Sequence, residues 1–313
     1  VIKANKEGGI YLMKAALYKM ENNKYLGNCF NIIVELDDNI AYGLTRNEIV
    51  VFIKTSDEKW EAINTLEELK NTCLYDDENE EVYLRIGSEC MLGVFGDSHC
   101  NCEQERESAL KKIGNTRGVY IHLPQEAQGN GLLYKAKELN LQVHGYMPNG
   151  LYIGAQTQSA AAAILIGKHN IDKRTYKCVE TVMDTLKLDR YQYVLMSRNP
   201  RKVKDLKKSG VGIVGMYDIM TKMTTDNMGE YLVKWINKKY CFTLDEVIQV
   251  IELIENKNTL VPDRAGRLLE TAADMLQTKE GVKYLEKHLY VPDNYKTKLF
   301  ELISKNYTNK KIA

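Results

Sequence analysis

Long apolar runs are missing from this chain. No stretch approaches the about 18 consecutive apolar residues that a membrane-crossing helix needs, so no membrane partner is expected. The opening, VIKANKEGGIYLMKAALYKM, also lacks an apolar run followed by small residues and does not read as a secretory signal. It begins on Val1 rather than methionine, as a trimmed chain would. Excess charge of either sign is absent: 43 Lys+Arg stand against 42 Asp+Glu, a formal net charge of +1. That balance offers no global attraction to nucleic acid or to a membrane surface. There is no internal repeat, no low-complexity tract and no G-x-x-x-x-G-K-[ST] string, which removes P-loop nucleotide binding from consideration. The 313 residues are 44% apolar and 27% charged, ordinary for a globular protein with one large or two modest domains.

Strand-like and helix-like segments divide the chain into three parts. Residues 1–81 carry a short helical pattern near 10–20, β-rich runs CFNIIVEL (29–36) and EIVVFIKT (48–55), and an amphipathic helix near 59–71. The acidic string YDDENEE (75–81) is a solvated turn and a boundary. Residues 82–216 alternate: strands in VYLRIG, GVYIHL (118–123), YQYVLMS (191–197) and VGIVG, helices in EQERESALKKIG (103–114), GLLYKAKELNL (131–141) and PRKVKDLKKSG (200–210). Such alternation predicts a mixed α/β (α+β) fold. Residues 217–313 read as helical. TLDEVIQVIELIEN opens with Thr243 and Glu246 in capping-box spacing, and Pro262 and Pro292 separate it from two later helices.

Seven cysteines are present, an odd number, and three cluster in SECMLGVFGDSHCNC (88–102). A disulfide framework would be unusual in so long a chain. The clustering favours metal or catalytic chemistry in a reducing compartment, with the cytoplasm as the default. Cys90, Cys100 and Cys102 offer three thiolates and no fourth. A closed structural zinc site needs four ligands, whereas three plus an open position is the arrangement of a catalytic zinc. His99 lies too close to Cys100 in sequence to share a metal in good geometry. The bland alternative is a set of small buried residues in a turn-rich segment, and spacing alone leaves both open.

The surrounding strings decide. RIGSEC, HCNC, PQEAQGNGLLYK, DKR and SRNPRK occur in that order. Together they resemble the GTP cyclohydrolase II family, whose pattern runs R-x-H-S-E-C, R-C-D-C, R-Q-E-G-R-x-x-G-L-L-x-K, D-x-R and T-N-N-P-x-K. The resemblance spans about residues 82–216 and implies a GTP cyclohydrolase II-like central domain with an N-terminal β-rich segment and a C-terminal helical appendage. It assigns Cys90, Cys100 and Cys102 to zinc, and Asp172 and Arg174 to catalysis. The aspartate would be a general acid/base or orienting group, and the arginine would attack the α-phosphate and expel pyrophosphate. Arg85, Glu89, Gln104, Gln125, Glu126, Gln128, Gly131, Ser197 and Lys202 fall on substrate contacts; Leu132, Leu133, Lys135, Asn199 and Pro200 complete the motifs. The implied reaction is hydrolytic opening of the imidazole ring of a purine nucleotide at C8, with formate released. Zinc and magnesium are the implied cofactors, and a homodimer the implied assembly.

Differences from the pattern concentrate at the nucleotide contacts. Pro124 and Gln128 stand for two arginines, Ala127 for a glycine and Gly87 for a histidine. Leu139 replaces a tyrosine associated with ring opening and deformylation, Glu105 aligns with an expected glutamine next to Gln104, and the segment from Lys135 to Asp172 is longer. A glutamine donates hydrogen bonds but cannot neutralise phosphate, a deficit of about 1.5–3 kcal/mol per charged contact. The expectation is an active zinc hydrolase with altered substrate or product. Alternatives are a hydrolase of another heterocycle, such as a pyrimidine nucleotide, and a non-catalytic nucleotide-binding scaffold. Elsewhere, His122 reads as a core histidine, His144 as a surface residue of a glycine-rich loop and His169 as a rim residue. The basic run 198–208 reads as a solvated helix face, and QSAAAAILIG (158–167) as a close-packing helix.

Overall fold

A computed structural model of the chain describes residues 2–6, 9–37, 43–76, 81–154, 156, 158–167, 172–219, 221–236, 240–256 and 264–307. They fall into two compact units. The first comprises Val1–Met91, Cys102–Leu132 and Asp172–Thr221; the second comprises Leu92–Asn101, Leu133–Ile171 and Lys222–Ala313.

The first unit is built on one eight-stranded sheet. Its strands are β1 (Ile2–Lys6), β2 (Gly9–Asn23), β3 (Gly27–Glu35), β4 (Glu48–Lys54), β5 (Tyr83–Ser88), β6 (Gly118–Leu123), β7 (Gln192–Leu195) and β8 (Gly212–Met216). Their order is β1-β2-β3-β4-β6-β5-β7-β8. Pairing is antiparallel from β1 through β4 to β6, and parallel from β6 through β5 and β7 to β8. The mixed α/β class is therefore observed.

Period-two burial fixes the sheet's faces. Phe30, Ile32, Val34, Ile49, Val51, Ile53, Leu84, Ile86, Val119, Ile121, Tyr193 and Leu195 share one core with Trp60, Leu69, Val179, Val182 and Leu206 from covering helices. The alternate residues Cys29, Tyr83, Tyr120, Val194 and Met196 pack with Ala109, Leu110 and Ile113 of the helix Cys102–Gly114. Both faces of the central strands are thus covered, as parallel strands require.

Three sequence readings are corrected. Residues 10–20 form β2, not a helix, with Ala15 opposite Val34 and Leu17 opposite Ile32. Ala, Leu, Met and Lys favour helix, but cross-strand pairing outweighs propensities worth only tenths of a kcal/mol, roughly. The helix near 59–71 is two short ones, Asp57–Ala62 and Leu66–Asn71, because Thr65 starts the second with its own capping box. Among the described residues three helices rather than two follow Leu244–Glu255: Arg264–Leu276, Lys279–Lys287 and Asp293–Tyr307. Thr278 caps the middle one by accepting from the Gly281 amide. Pro262, His169 and residues 77–80 of the acidic string lie outside the described residues.

The second unit's core is helical. Trp235, from the helix Met228–Ile236, stacks on Phe242 with ring centroids 5.2 Å apart and packs among Val247, Leu268, Leu285 and Leu299. Thr243 and Glu246 form the expected capping box at Leu244–Glu255. Among the described residues no helix is long and apolar enough to cross a membrane.

Leu84→Ala, which empties space in the sheet's core, is expected to lower unfolding free energy by about 2–5 kcal/mol. Thr243→Ala, which removes only a cap, should remove about 1 kcal/mol. Denaturant midpoints of the two variants check this, and a Leu84 loss no larger than the Thr243 loss contradicts the packing described.

Candidate active site

Ligands of open α/β sheets gather at the carboxyl ends of parallel strands. Here those ends carry the sequence motifs: β5 runs into Glu89-Cys90, β6 into Pro124–Asn130, and β7 into Ser197-Arg198-Asn199. The ladder continues past β5, where the Glu89 amide donates to Leu123 O at 2.9 Å. Buried Glu126 then takes the Met91 amide on Oε2 at 2.7 Å, fixing the chain just after Cys90.

Cys102 is the first residue of the helix Cys102–Gly114. Asp97 shapes the turn before Cys100: its Oδ1 accepts from the His99 amide at 3.1 Å and lies 3.1 Å from His99 Nδ1. The sulfurs of Cys90, Cys100 and Cys102 all lie within 4.8 Å of one another. Among the described residues none of the cysteines is in a disulfide. Cys29 and Cys178 are different: burial among apolar groups pushes their thiols up to about 11 and about 12, which leaves them inert. A trio of converging sulfurs is a donor set for a thiophilic cation, and its chemistry fits the group that spacing suggested.

Charged groups gather around Asp172 and around β5 and β7. Arg174 grips Asp172 with two hydrogen bonds, Nε to Oδ1 and Nη2 to Oδ2, each 2.8 Å. Arg201 Nη1 approaches Asp172 Oδ2 at 3.2 Å, and its Nη2 donates to Arg174 O at 2.8 Å. Burial alone would raise the Asp172 carboxyl, but the hydrogen bonds and charge of Arg174, helped by Arg201, more than offset it and hold the group below the usual carboxylate range. Arg85 Nη2 pairs with Glu105 Oε2 at 2.6 Å while its Nη1 donates to Met196 O at 2.6 Å. Lys202 is 7% exposed, and its Nζ donates to Ile86 O at 2.7 Å. Burial first, then the positive charges of Arg85 and Arg174, push its ammonium well below the ordinary lysine value.

The remaining expected contacts line the same strand ends. Glu89 Oε1 accepts from Arg46 Nη1 at 2.7 Å. Gln125 Nε2 donates to Thr175 O at 3.0 Å, and Gln128 O accepts from the Lys173 amide at 3.0 Å. Thr45 bonds Pro124 O through both its amide and its hydroxyl. Gly43, at φ +65°, has no room for a Cβ, which would lie 2.5 Å from Lys173 O. The segments at 43–46, 124–130 and 172–175 are thereby tied together. Ser197 Oγ accepts from the Asn199 amide at 3.2 Å, and Asn199 Oδ1 caps the helix Pro200–Lys208 by accepting from the Arg201 and Lys202 amides. Gln104 is partly buried on Cys102–Gly114, and Gly131 turns the chain at φ +87° before the helix Leu132–Val143.

A family model described as GTP cyclohydrolase II matches residues 40–218, more than half of the 313-residue chain. The chain belongs to the GTP cyclohydrolase II family. It is 28% identical over 209 residues to the monofunctional riboflavin biosynthesis protein RIBA 3, chloroplastic, of Arabidopsis thaliana, covering 62% of this chain and 38% of that one. It is 28% identical over 151 residues to the riboflavin biosynthesis protein RibBA of Staphylococcus aureus strain N315, covering 48% and 35%. The RibBA of Staphylococcus saprophyticus is 27% identical over 152 residues. The chain thus spans only 38% and 35% of the length of the first two.

The family match begins at residue 40, ahead of the motif strings. It takes in Arg46, the partner of Glu89, which no local pattern flags because the pair is far apart in sequence. Arg201 was also missed: inside a basic run it reads as a solvated charge, and only the fold brings it to Asp172. His122 is half-buried on β6 and stacks on Tyr120, and burial lowers its pKa. His144 meets His99 edge-on with ring centroids 6.2 Å apart.

In the segment where family arginines and a glycine are replaced, Ala127 has φ 49° and Gln128 φ 61°. Each non-glycine residue in this left-handed region costs about 1–2 kcal/mol. Ala127→Gly is therefore expected to raise stability by about 1 kcal/mol after the added unfolded-state entropy is counted. Its denaturant midpoint checks the sign. A second test uses pH. Because Asp172's folded pKa is depressed, its stabilisation is present above the unfolded value of about 4 and is lost as pH falls through the folded value. Asp172→Asn should therefore be less stable than the parent at neutral pH, with the gap closing under acid; a pH-independent gap contradicts this.

Proposed function

We propose that this protein is a zinc-dependent hydrolase that opens the imidazole ring of a purine nucleotide, GTP or a close relative, releasing formate and pyrophosphate. The observation that carries the reading is the convergence of the Cys90, Cys100 and Cys102 sulfurs within 4.8 Å. Two zinc–sulfur bonds of about 2.3 Å at a tetrahedral angle set sulfurs about 3.8 Å apart, so the cluster is of the right size. Bound by these three thiolates with one position left open, zinc would supply Lewis acidity and lower the pKa of water from 15.7 to about 7.

The chain's own groups have separable tasks. Glu126 holds the backbone at Met91 and so keeps the Cys90 thiolate in place. Asp172, ionised at neutral pH, is suited to accept a proton and to orient a guanidinium, not to serve as a proton donor. It presents Arg174 as a fixed, planar cation toward the phosphates, the group the family resemblance assigns to attack at the α-phosphate. Arg201, whose side chain is 47% exposed, offers a second cation for phosphate oxygens. Gln128 in place of an arginine weakens that phosphate hold, which favours magnesium as the companion of the triphosphate. The names of the relatives put them in riboflavin biosynthesis. A riboflavin-related or secondary pathway in the cytoplasm, and a homodimer, complete the proposal.

Metal analysis of the purified protein should find zinc at about one per chain, one open three-ligand site each. Incubation with GTP and magnesium should release formate, and Cys100→Ser should lose both metal and formate release. A metal-free parent, or no turnover with GTP, ATP or GMP, sinks the reading. Turnover of uridine or cytidine nucleotides alone transfers it to a pyrimidine substrate. Sedimentation velocity checks the dimer.

A further inference from the structure

Gly87 lies on β5, two residues before the Glu89-Cys90 turn, where the family pattern has histidine. A Cβ there would stand 2.2 Å from Tyr120 Oη and 2.9 Å from its Cζ. The Tyr120 ring therefore occupies the space that any side chain at 87 would enter. It is not a floppy chain end that can step aside. Tyr120 pairs in register with Arg85 on the neighbouring strand, lies nearly parallel to His122 (13°, centroids 6.3 Å) and meets Phe52 edge-on at 6.3 Å.

Tyr120 is 3% exposed. A buried tyrosine ordinarily has its hydroxyl hydrogen-bonded. Among the described residues no group hydrogen-bonds the Tyr120 hydroxyl, and it is not one of the fully buried polar atoms left without a partner, so its oxygen keeps access to the space outside. Cys102 and Glu105 both lie on the first turns of Cys102–Gly114, and Arg85 is the partner of Glu105. Through its register with Arg85, the partner of Glu105, and its packing on Ala109 and Ile113, Tyr120 lies on the sheet face covered by the helix that Cys102 begins.

We propose that Tyr120 contacts the substrate: its hydroxyl gives a neutral hydrogen bond to the nucleotide beside the cysteine cluster, and Gly87 is the positioning residue that makes room for it. This rests on the ring-opening reading of the site. A phenol hydroxyl both donates and accepts, so it can bind a purine edge or a carbonyl formed from it without adding charge.

The test uses the full-length chain loaded with zinc. Tyr120→Phe keeps the ring and removes only the hydroxyl. It is expected to lower kcat/KM for the nucleotide about three- to tenfold, the worth of one neutral hydrogen bond, with zinc content and melting temperature unchanged. Gly87→Ala should also lower kcat/KM, and by less when introduced into the Tyr120→Phe background, because part of its effect is exerted through the hydroxyl. If Tyr120→Phe matches the parent in kcat and KM, the inference is overturned while the hydrolase reading stands. If the parent binds GTP without turning it over, the hydrolase reading fails; the Tyr120 contact then holds if Tyr120→Phe weakens GTP binding by a similar factor and falls if it does not. A parent that neither binds nor turns over any nucleotide overturns both.

Discussion

The register of β5 against β6 is the constraint from which the site follows. Parallel pairing from Tyr83 opposite Gly118 to Ser88 opposite Leu123 brings the two strands to an end at the same level. Glu89-Cys90 and Gln125-Glu126 then leave the sheet side by side, and the Glu126 carboxylate can reach the Met91 amide. A slip of one residue would turn Arg85 into the face now filled by Leu84 and Ile86, burying a cation among aliphatic side chains. Gly118 enforces the register from below, since a Cβ there would lie 2.1 Å from Tyr83 O.

The cations around the strand ends are already partnered. Arg174 and Arg201 share Asp172, Arg85 holds Glu105, and Lys202 is bonded to the Ile86 carbonyl. Breaking a partly buried pair of this kind leaves one charge without its partner, so these groups are held in one geometry. Their exposure differs. The Arg201 side chain is 47% exposed and that of Arg174 18%, while Lys202 is buried.

Much of this was legible in the sequence because it is local. The strands at 29–36, 48–55 and 118–123 are runs of β-branched and aromatic residues, and the Thr243 capping box lies within four positions. The cysteine trio is legible from its motif strings, and its convergence needs both the Asp97 turn before Cys100 and the hold of Glu126 on the Met91 amide. What was not legible is tertiary. Residues 10–20 have helix-forming composition and become a strand only because β3 offers a partner edge. Arg46 and Glu89 meet because β4 lies beside β6, which lies beside β5. The Tyr120 hydroxyl over Gly87 depends on the same adjacency, and no pattern within either strand announces it.

Two places break local rules, and both lie at the ends of the parallel strands. Gly87 weakens a strand interior, where glycine packs nothing. Ala127 and Gln128 stay left-handed without being glycine. Strain of that kind persists only when surrounding bonds over-determine it. Here the Asn130 amide bonds to Glu126 O and Ala127 O, the Lys173 amide to Gln128 O, and the Ala127 amide to Glu126 Oε1. Relaxing the loop to ordinary φ would break these bonds, and with them the hold of Glu126 on the Cys90 turn. The cost is therefore local and the benefit is at the cysteine cluster. A purely structural loop would have no reason to retain such a conformation with residues that resist it, and that asymmetry ties the altered segment to the site rather than to the stability of the sheet.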